Sequence, residues 1–366
     1  MNRRSFLQSS VAAALAQQFP WSSAVAAASD RQAGWQAYEI TTRVEVKDSF
    51  GVARAWVPLG LEADTDWQRT LGNGWSGNAR VMRVVRDPKY GISMLYAEWP
   101  AREADPVLQV STSVMTRERK GVLSGEAGVE DLSAAERRFF TAPTELIPTD
   151  GIVRDTALKV TQGASADVDK ARAVYEWIVD NTFRDPKTRG CGVGDVKSLL
   201  ESGNLGGKCA DLNALFVGLL RSVDVPARDV YGIRVAPSKY GYKSLGAGSA
   251  DVTKAQHCRA EFFARGHGWV PVDPADVRKV VLEEPPGNLP VKDDKVLAAR
   301  KRLFGGWEMN WLAYNMGHDV KLPNADGKTP KLPYLMYPNA QADGELRDQF
   351  EPDSIKYTIT SREIAV

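Results

Sequence analysis

The stretch GNLGGKCADLNALFVGLLR at residues 203–221 has the composition of a glycine turn followed by a buried helix. Apolar side chains recur after it at helical spacing, at Leu212, Leu215, Phe216, Leu219 and Val223. Pro226 cannot continue a helix, so we expect the helix to end before it. The pattern predicts that Cys209 lies at the N-terminus of this helix, directly after the paired glycines.

A cysteine at a helix N-terminus has an environment suited to a nucleophile. The free amides and the helix dipole stabilise negative charge there, which lowers the pKa of a thiol and favours the reactive thiolate. The same amides can stabilise the oxyanion that forms when a thiolate attacks a carbonyl carbon. Cysteine is also often buried for packing alone. Taken by itself, Cys209 is equally compatible with a structural role.

A predicted hairpin further along the chain supplies partners for this cysteine. Its strands are residues 257–264 and 269–273. With a loop at residues 264–266, His257 would lie directly opposite Asp273, because residues paired across a hairpin share a face. A cysteine nucleophile requires a base, and the base requires an orienting acid. We therefore interpret Cys209, His257 and Asp273 as nucleophile, base and orienting acid. The alternatives are an ordinary strand histidine and a turn aspartate before a proline.

The two other cysteines leave alternatives open. Strand alternation puts Cys258 on the face opposite His257, which makes it a poor nucleophile candidate and predicts that it lies apart from the site. A disulfide between Cys191 and Cys258 is compatible with an oxidising compartment, and the sequence does not decide it. A metal site built from Cys191, Cys209, His257 and Cys258 is a weaker alternative, because no C-x-x-C spacing supports it.

Four sequence blocks together resemble the transglutaminase-like superfamily, over about residues 139–274. They are Gly207-Lys208-Cys209-Ala210-Asp211, the segment from Arg221 to Pro226-Ala227-Arg228, His257 with Glu261, and Gly268-Trp269-Val270-Pro271-Val272-Asp273-Pro274. The resemblance implies an α+β fold, a papain-like transglutaminase core preceded by an N-terminal β-sandwich-like domain. It also implies acyl transfer through a thioester. Leu212 stands where family members often have an aromatic residue, which affects the expected acyl pocket and not the triad.

The expected activity is that of a cysteine peptidase or amidase acting on a peptide or protein substrate. Hydrolysis is favoured because water is abundant and nothing in the sequence indicates a dry site for an acceptor amine. A protein-cross-linking transglutaminase is the first alternative. A non-catalytic binding scaffold is the second, because a fold alone does not prove an activity. No cofactor and no metal are expected.

Four features around the triad receive secondary interpretations. Asp211 is expected mainly to cap the helix start. Asn204 is a candidate second oxyanion donor by proximity alone. Trp269 is expected either to cover the His–Asp pair or to fill core, and the Gly/Ser-rich residues 236–256 either to shape the cleft or to form plain surface loop.

Residues 1–28 have the pattern of a cleaved signal peptide. The arginines at positions 3 and 4, a short apolar stretch and small residues at 24–28 resemble a twin-arginine leader. An ordinary secretory leader is the alternative. We expect a periplasmic or secreted protein with no stable membrane insertion after cleavage, because the apolar stretch is too short and polar to remain as a span.

The rest of the chain divides by pattern into three segments. Residues 30–125 have short β-rich runs, residues 135–285 contain the predicted catalytic core, and residues 286–366 form a mixed C-terminal extension. The chain has 47 Lys+Arg and 46 Asp+Glu, with 43% apolar residues. This balance excludes the basic stripe of a nucleic-acid-binding protein, so we expect no nucleic-acid partner.

Overall fold

The computed structural model describes residues 34–123, 128–327 and 329–365. The predicted signal peptide at 1–28 lies outside the described residues. The described helices are α1 (Ala134–Thr141), α2 (Gly151–Val160), α3 (Asp167–Asn181), α4 (Val196–Ser202), α5 (Cys209–Arg221), α6 (Pro274–Glu283) and α7 (Asp294–Arg302). The described strands are β1 (Trp35–Val46), β2 (Ala53–Pro58), β3 (Gln68–Gly77), β4 (Val81–Arg86), β5 (Ser93–Trp99), β6 (Val107–Arg117), β7 (Phe183–Arg184), β8 (Gly206–Gly207), β9 (Ala227–Arg234), β10 (Gln256–Ala264), β11 (Gly268–Val272), β12 (Trp311–Asn315), β13 (Asn339–Ala342), β14 (Glu345–Leu346) and β15 (Ile355–Ile364).

Helix α5 is the centre of the core. Nearly all of its residues are buried, which is expected of a helix that is apolar on all sides. It packs on β10 and on the surrounding helices, and one apolar cluster joins α5 to α2, α3 and α6. The sheet beside it has the order β11-β10-β9-β12 and is antiparallel throughout.

Two further sheets form a sandwich. Their strand orders are β15-β1-β6-β3 and β14-β13-β2-β5-β4. Alternate residues of both sheets meet in one apolar cluster, in which Val44 and Leu108 of the first sheet pack with Ala55 and Trp99 of the second. Together with the α+β core, this sandwich confirms the predicted fold class.

Residues 286–366 contribute strands to all three of these sheets. β12 is the edge of the core sheet, β13 and β14 complete one sandwich sheet, and β15 pairs with β1 in the other. The segment is therefore woven through the fold, although its sequence indicates only mixed structure. The predicted division of the chain into domains stays a prediction.

A buried charge cluster links the N-terminal region to the core hairpin. Glu261 of β10 binds Arg119, which follows β6, and also binds Arg228 of β9 at 2.7 Å. The two arginines together compensate the charge of this fully buried carboxylate.

Some elements differ from the sequence expectation. β3 has little of the apolar pattern that predicts a strand, because its residues QRTLGNGWSG are mostly polar or glycine. It forms an exposed edge that is held by backbone pairing with β6. Asp167 is the first residue of α3, and Ala166 is its N-cap residue. Within the described residues, no helix has the length and apolarity needed to cross a bilayer.

Candidate active site

Cys209 is the first residue of α5, as predicted, and only 4% of it is exposed. The preceding glycines form β8, which pairs in parallel with β7. The backbone N–H of Lys208 donates to the Asp211 carboxylate and that of Ala210 donates to the Cys191 carbonyl, each at 2.9 Å. Neither bond involves the Cys209 amide, which lies in the first turn, where helix amides have no intrahelical partner.

Asp211 fixes the helix start to the loop that precedes α4. Its Oδ1 accepts from the amides of Val193 and Gly194 at 3.0 Å, while Oδ2 accepts from Lys208. A Cβ on Gly192, whose φ is +93°, would lie 2.0 Å from this carboxylate, so only glycine fits there. Asp211 therefore has the capping role expected of it.

His257 and Asp273 form a direct hydrogen bond, with 2.7 Å between His257 Nε2 and Asp273 Oδ2. The predicted register is wrong by two residues. The strands pair Ala264 with Gly268 and Ala260 with Val272, so Asp273 lies opposite Arg259 and diagonal to His257. The hairpin loop is centred one residue later than predicted. An even shift keeps residues on the same face, which is why the two side chains still meet.

Asp273 is also the N-cap of α6. Its Oδ1 accepts from the Asp276 amide at 3.0 Å, and Pro274 occupies the first turn, a position that proline favours. The Asp-Pro-x-Asp sequence is thus a helix-start signal that the sequence analysis does not use. This double use of the carboxylate fixes the oxygen that faces His257.

A second carboxylate lies beside the imidazole. Asp276 Oδ2 is 3.4 Å from His257 Nε2, and Arg234 binds Asp276 Oδ1 at 2.6 Å. Burial and Arg234 lower the pKa of His257, but Asp276 and Asp273 outweigh them and raise it to about 9. Sequence reasoning did not find Asp276, although its spacing from Asp273 is that of one helical turn.

The three cysteines gather in one buried cluster, and all are free thiols. The neighbouring thiols of Cys191 and Cys258, and then the His257 imidazole, hold the pKa of Cys209 well below its usual value against the effect of burial. The expectation that Cys258 lies apart from the site is wrong. Alternation separates its side chain from that of His257, but Cys209 touches both.

Two tryptophans of the C-terminal segment support the His strand. The Trp311 indole N–H donates to the His257 carbonyl at 2.9 Å, and that of Trp307 donates to the Val272 carbonyl at 3.0 Å. Trp269 instead packs on Phe263 and lies 3.8 Å from the Arg228 guanidinium, measured to its ring centroid. Trp269 is half-buried, and the indole support of the His strand comes from Trp311 and Trp307 of the C-terminal segment.

A cavity of about 750 Å³ opens onto Cys209 and His257. The 236–256 loop forms part of its wall, as do Tyr337, Phe350 and Tyr357 of the C-terminal segment. Gln256 also lines the cavity. It is 8% exposed, and within the described residues its Nε2 has no hydrogen-bond partner. Buried amide donors normally find a partner, so this buried donor beside the cavity is unsatisfied within the protein.

Asn204 does not reach the site. It is exposed, its backbone binds Ser202, and it does not line the cavity. Although Asn204 is close to Cys209 in sequence, the turn before β8 keeps it away from the cavity. The signal that could have pointed to Gln256 instead is its position next to the histidine.

The residues that could hold a metal differ from those considered in the sequence. Within the described residues, His257, Asp273 and Asp276 are the group whose ligand atoms all lie within 4.8 Å of one another. Cys191, Cys209, His257 and Cys258 do not form such a group. The His–Asp–Asp group is already committed internally, because Arg234 binds Asp276 and the α6 amide binds Asp273.

A buried cysteine at a helix N-terminus, beside a His–Asp pair on an antiparallel sheet, defines a papain-like class of protein. Residues 154–274 match the family model described as the transglutaminase-like superfamily. A Haemophilus influenzae protein of uncharacterised function is 35% identical over 343 residues, which cover 89% of this chain and 91% of the relative. The chain belongs to the transglutaminase-like superfamily.

Solved structures with related folds have low sequence identity. A candidate cysteine protease from Cytophaga hutchinsonii is 14% identical, with a TM-score of 0.49, and the match covers 90% of this chain and 98% of that one. The periplasmic domain of TgpA from Pseudomonas aeruginosa is 14% identical, with a TM-score of 0.34 over 72% of this chain and 92% of that domain. Both are likenesses of fold alone.

Proposed function

We propose that the protein is a cysteine hydrolase that cleaves peptide or carboxamide bonds through a thioester at Cys209. The observation that carries the proposal is the hydrogen-bonded His257–Asp273 pair, together with the buried Cys209, which lines the same cavity as His257. The pKa directions of Cys209 and His257 favour a resting thiolate–imidazolium pair. A thiolate attacks a carbonyl far faster than a neutral thiol does.

The acylation half-reaction follows from these positions. The Cys209 thiolate attacks the carbonyl carbon, and a C–S bond forms as the carbonyl π electrons move to oxygen. The Cys209 amide and Gln256 Nε2 are the proposed donors to that oxyanion. The imidazolium of His257 gives its proton to the leaving nitrogen. The C–N bond then breaks, and an amine and a thioester remain.

Deacylation reverses the proton path. Neutral His257 takes a proton from water as the water oxygen attacks the thioester carbonyl. The C–S bond breaks, a carboxylic acid leaves and the thiolate–imidazolium pair is restored. Asp273 keeps the imidazole oriented in both half-reactions. The Asp276 carboxylate, which binds Arg234, adds negative charge on the same side of the ring. With an amine in place of water, the same steps would give cross-linking.

Thiol labelling tests the nucleophile. We expect iodoacetamide to alkylate one thiol well below pH 8 in the wild type, and Cys209→Ala to abolish this labelling. His257→Ala should shift the reaction towards the pH of an ordinary thiol. His267→Ala is the matched control, because His267 lies in the hairpin tip outside the cavity. If Cys209 reacts only as an ordinary thiol, the proposal is wrong.

Product analysis tests the choice of hydrolysis. The purified protein is incubated with peptide amides and a primary amine, and the products are identified by mass spectrometry. We expect cleavage or deamidation that depends on Cys209. Products that contain only incorporated amine would instead favour the cross-linking alternative.

We also propose export by the twin-arginine route, which rests on the sequence of residues 1–28 alone. In a Gram-negative host, the wild type should be recovered in the periplasmic fraction. An Arg3→Lys/Arg4→Lys variant should remain in the cytoplasm with its leader uncleaved. Equal export of both would contradict the twin-arginine assignment and favour an ordinary secretory leader.

A further inference from the structure

The charges around the cavity are strongly unequal, although the chain as a whole is nearly neutral. Lys+Arg and Asp+Glu number 47 and 46 in the sequence. Among the described residues that line the cavity, Asp251 is the acidic one, whereas the basic ones are Arg184, Lys208, Arg234, Lys254, Lys279 and Lys356. Walls of one sign attract a ligand of the opposite sign.

Only part of this positive charge is compensated within the protein. Arg234 is bound to Asp276. Arg184 and Lys279 share the single carboxylate of Glu283. Burial and the neighbouring arginines Arg234 and Arg184 lower the pKa of Lys279. Cations crowded in this way are stabilised when an anion binds between them.

Three lysines of the cavity wall have no carboxylate within 4.0 Å among the described residues: Lys208, Lys254 and Lys356. Lys208 is half-buried at the N-cap of α5, directly before Cys209, whereas Lys254 and Lys356 are exposed at the rim. Lys356 lies across from Glu45 in the β1–β15 register, but that carboxylate already binds Lys47 and Arg43. The three lysines come from different segments and converge on one opening.

The rest of the wall suits an extended peptide. Tyr337, Phe350 and Ile355 give it an apolar side, and Gly246 and Gly248 leave backbone accessible on the other. We infer that the preferred substrate is an acidic peptide, one that carries carboxylates on the residues flanking the bond attacked by Cys209. This inference rests on the proposed function and specifies its substrate class. Lys208 would meet a carboxylate close to the reacting bond, while Lys254 and Lys356 would meet those further along.

Two alkylating reagents separate the charge of the cavity from the reactivity of the thiol. Iodoacetamide is neutral and iodoacetate is anionic, but both alkylate Cys209 by the same displacement of iodide. We expect Lys254→Glu/Lys356→Glu to lower the iodoacetate rate by about threefold to tenfold, as Coulomb interactions in water at such distances allow. The iodoacetamide rate should be unchanged. Lys159→Glu/Lys292→Glu is the control, because it makes the same change in net charge at residues outside the cavity.

Matched peptides then test recognition directly. Two peptides that differ only in Glu or Gln at the positions flanking the cleaved bond are compared. We expect a higher kcat/KM for the Glu peptide, a preference that shrinks with added salt and is lost in Lys254→Glu/Lys356→Glu. Protection of Cys209 by inorganic polyphosphate but not by the acidic peptide would overturn the inference in favour of a phosphate ligand.

The outcomes for the two proposals are distinct. If neither reagent labels Cys209 selectively, the proposed hydrolase function fails. If iodoacetamide labels Cys209 rapidly, but the iodoacetate rate is insensitive to both the rim lysines and salt, the acidic-substrate inference fails and the hydrolase stands.

Discussion

At the residue scale, His257 is held between charges of both signs. Asp273 and Asp276 face its Nε2, Arg234 binds Asp276, and Arg259 lies near Asp273. The two carboxylates outweigh the cations, and His257 therefore keeps its proton to an unusually high pH. The site is built to stabilise an ion pair in a place that burial alone would make neutral.

This balance predicts the pH profile of activity. The active pair requires a deprotonated Cys209, whose pKa is lowered, and a protonated His257, whose pKa is raised to about 9. A plot of kcat/KM against pH should therefore rise below neutrality and fall with an apparent pKa of about 9. Asp276→Asn should move the falling limb to lower pH, since it removes a carboxylate that stabilises the imidazolium.

The control for this shift is Asp180→Asn, which breaks an exposed carboxylate–arginine pair with Arg300. It should leave both limbs in place. A falling limb that stays near pH 9 in Asp276→Asn would contradict a role for Asp276 in holding the imidazolium.

A second residue-scale prediction concerns Gln256. Gln256→Ala should lower kcat by about 10²–10³ with little change in KM, the loss typical of a missing oxyanion donor. Iodoacetamide labelling of Cys209 should be unchanged, because alkylation forms no oxyanion. Asn204→Ala is the matched control and should retain full activity, since Asn204 does not line the cavity. Equal kcat for Gln256→Ala and the wild type would remove Gln256 from the mechanism.

At the scale of elements, the N-terminus of α5 is held in place by Asp211. Its carboxylate connects the helix start to the loop before α4 through three backbone amides. The carbonyl of Cys191, in the same loop, accepts from Ala210. The geometry around Cys209 is therefore a property of the junction between loop and helix, and not of the helix alone.

Asp211→Ala should lower the free energy of unfolding by about 3 kcal/mol, because it removes the charged acceptor shared by three backbone amides. Urea denaturation measures the change. Asp195→Ala is the comparison, because Asp195 caps α4 by a single backbone bond at an exposed position, where the loss should be about 1 kcal/mol. Equal losses in the two variants would show that Asp211 is no more than an ordinary cap.

At the scale of the whole molecule, the two ends of the described chain are structurally joined. β15 pairs with β1 from Val46–Ile355 to Ala37–Ile364. Ile355 and Ile359 are buried in two separate apolar clusters. The cavity wall also depends on this segment, because Ile355, Lys356 and Tyr357 line it.

Deletion of residues 355–366 should therefore abolish folding. It would expose the whole edge of β1 and open two apolar clusters, and exposed strand edges promote aggregation. We expect insoluble protein, or soluble protein without a cooperative thermal transition. A variant that lacks only residues 1–28 should keep the transition. A cooperative transition in the deletion variant would contradict the structural role of β15.

The positions of the candidate nucleophile, base and acid were predictable because they follow from local sequence patterns. The glycine turn, the apolar residues at helical spacing and Pro226 predict α5 and the position of Cys209 without tertiary information. The predicted hairpin register is wrong by two residues, which is an even number, so His257 and Asp273 still lie on the same face of the sheet. The exact register was not predictable, because glycine at both 266 and 268 allows more than one loop.

Spacing along a helix or strand fixes which residues share a face, and the sequence therefore predicts the α+β class and the local positions of Cys209, His257 and Asp273. Tertiary packing brings Asp276 to His257, Gln256 to the cavity wall, Cys258 to Cys209 and the Trp311 indole to the His257 carbonyl. It also decided that residues 286–366 complete the sheets and the cavity wall. These contacts link segments far apart in the chain, and their partners are selected by packing and burial, which leave no local periodic signal.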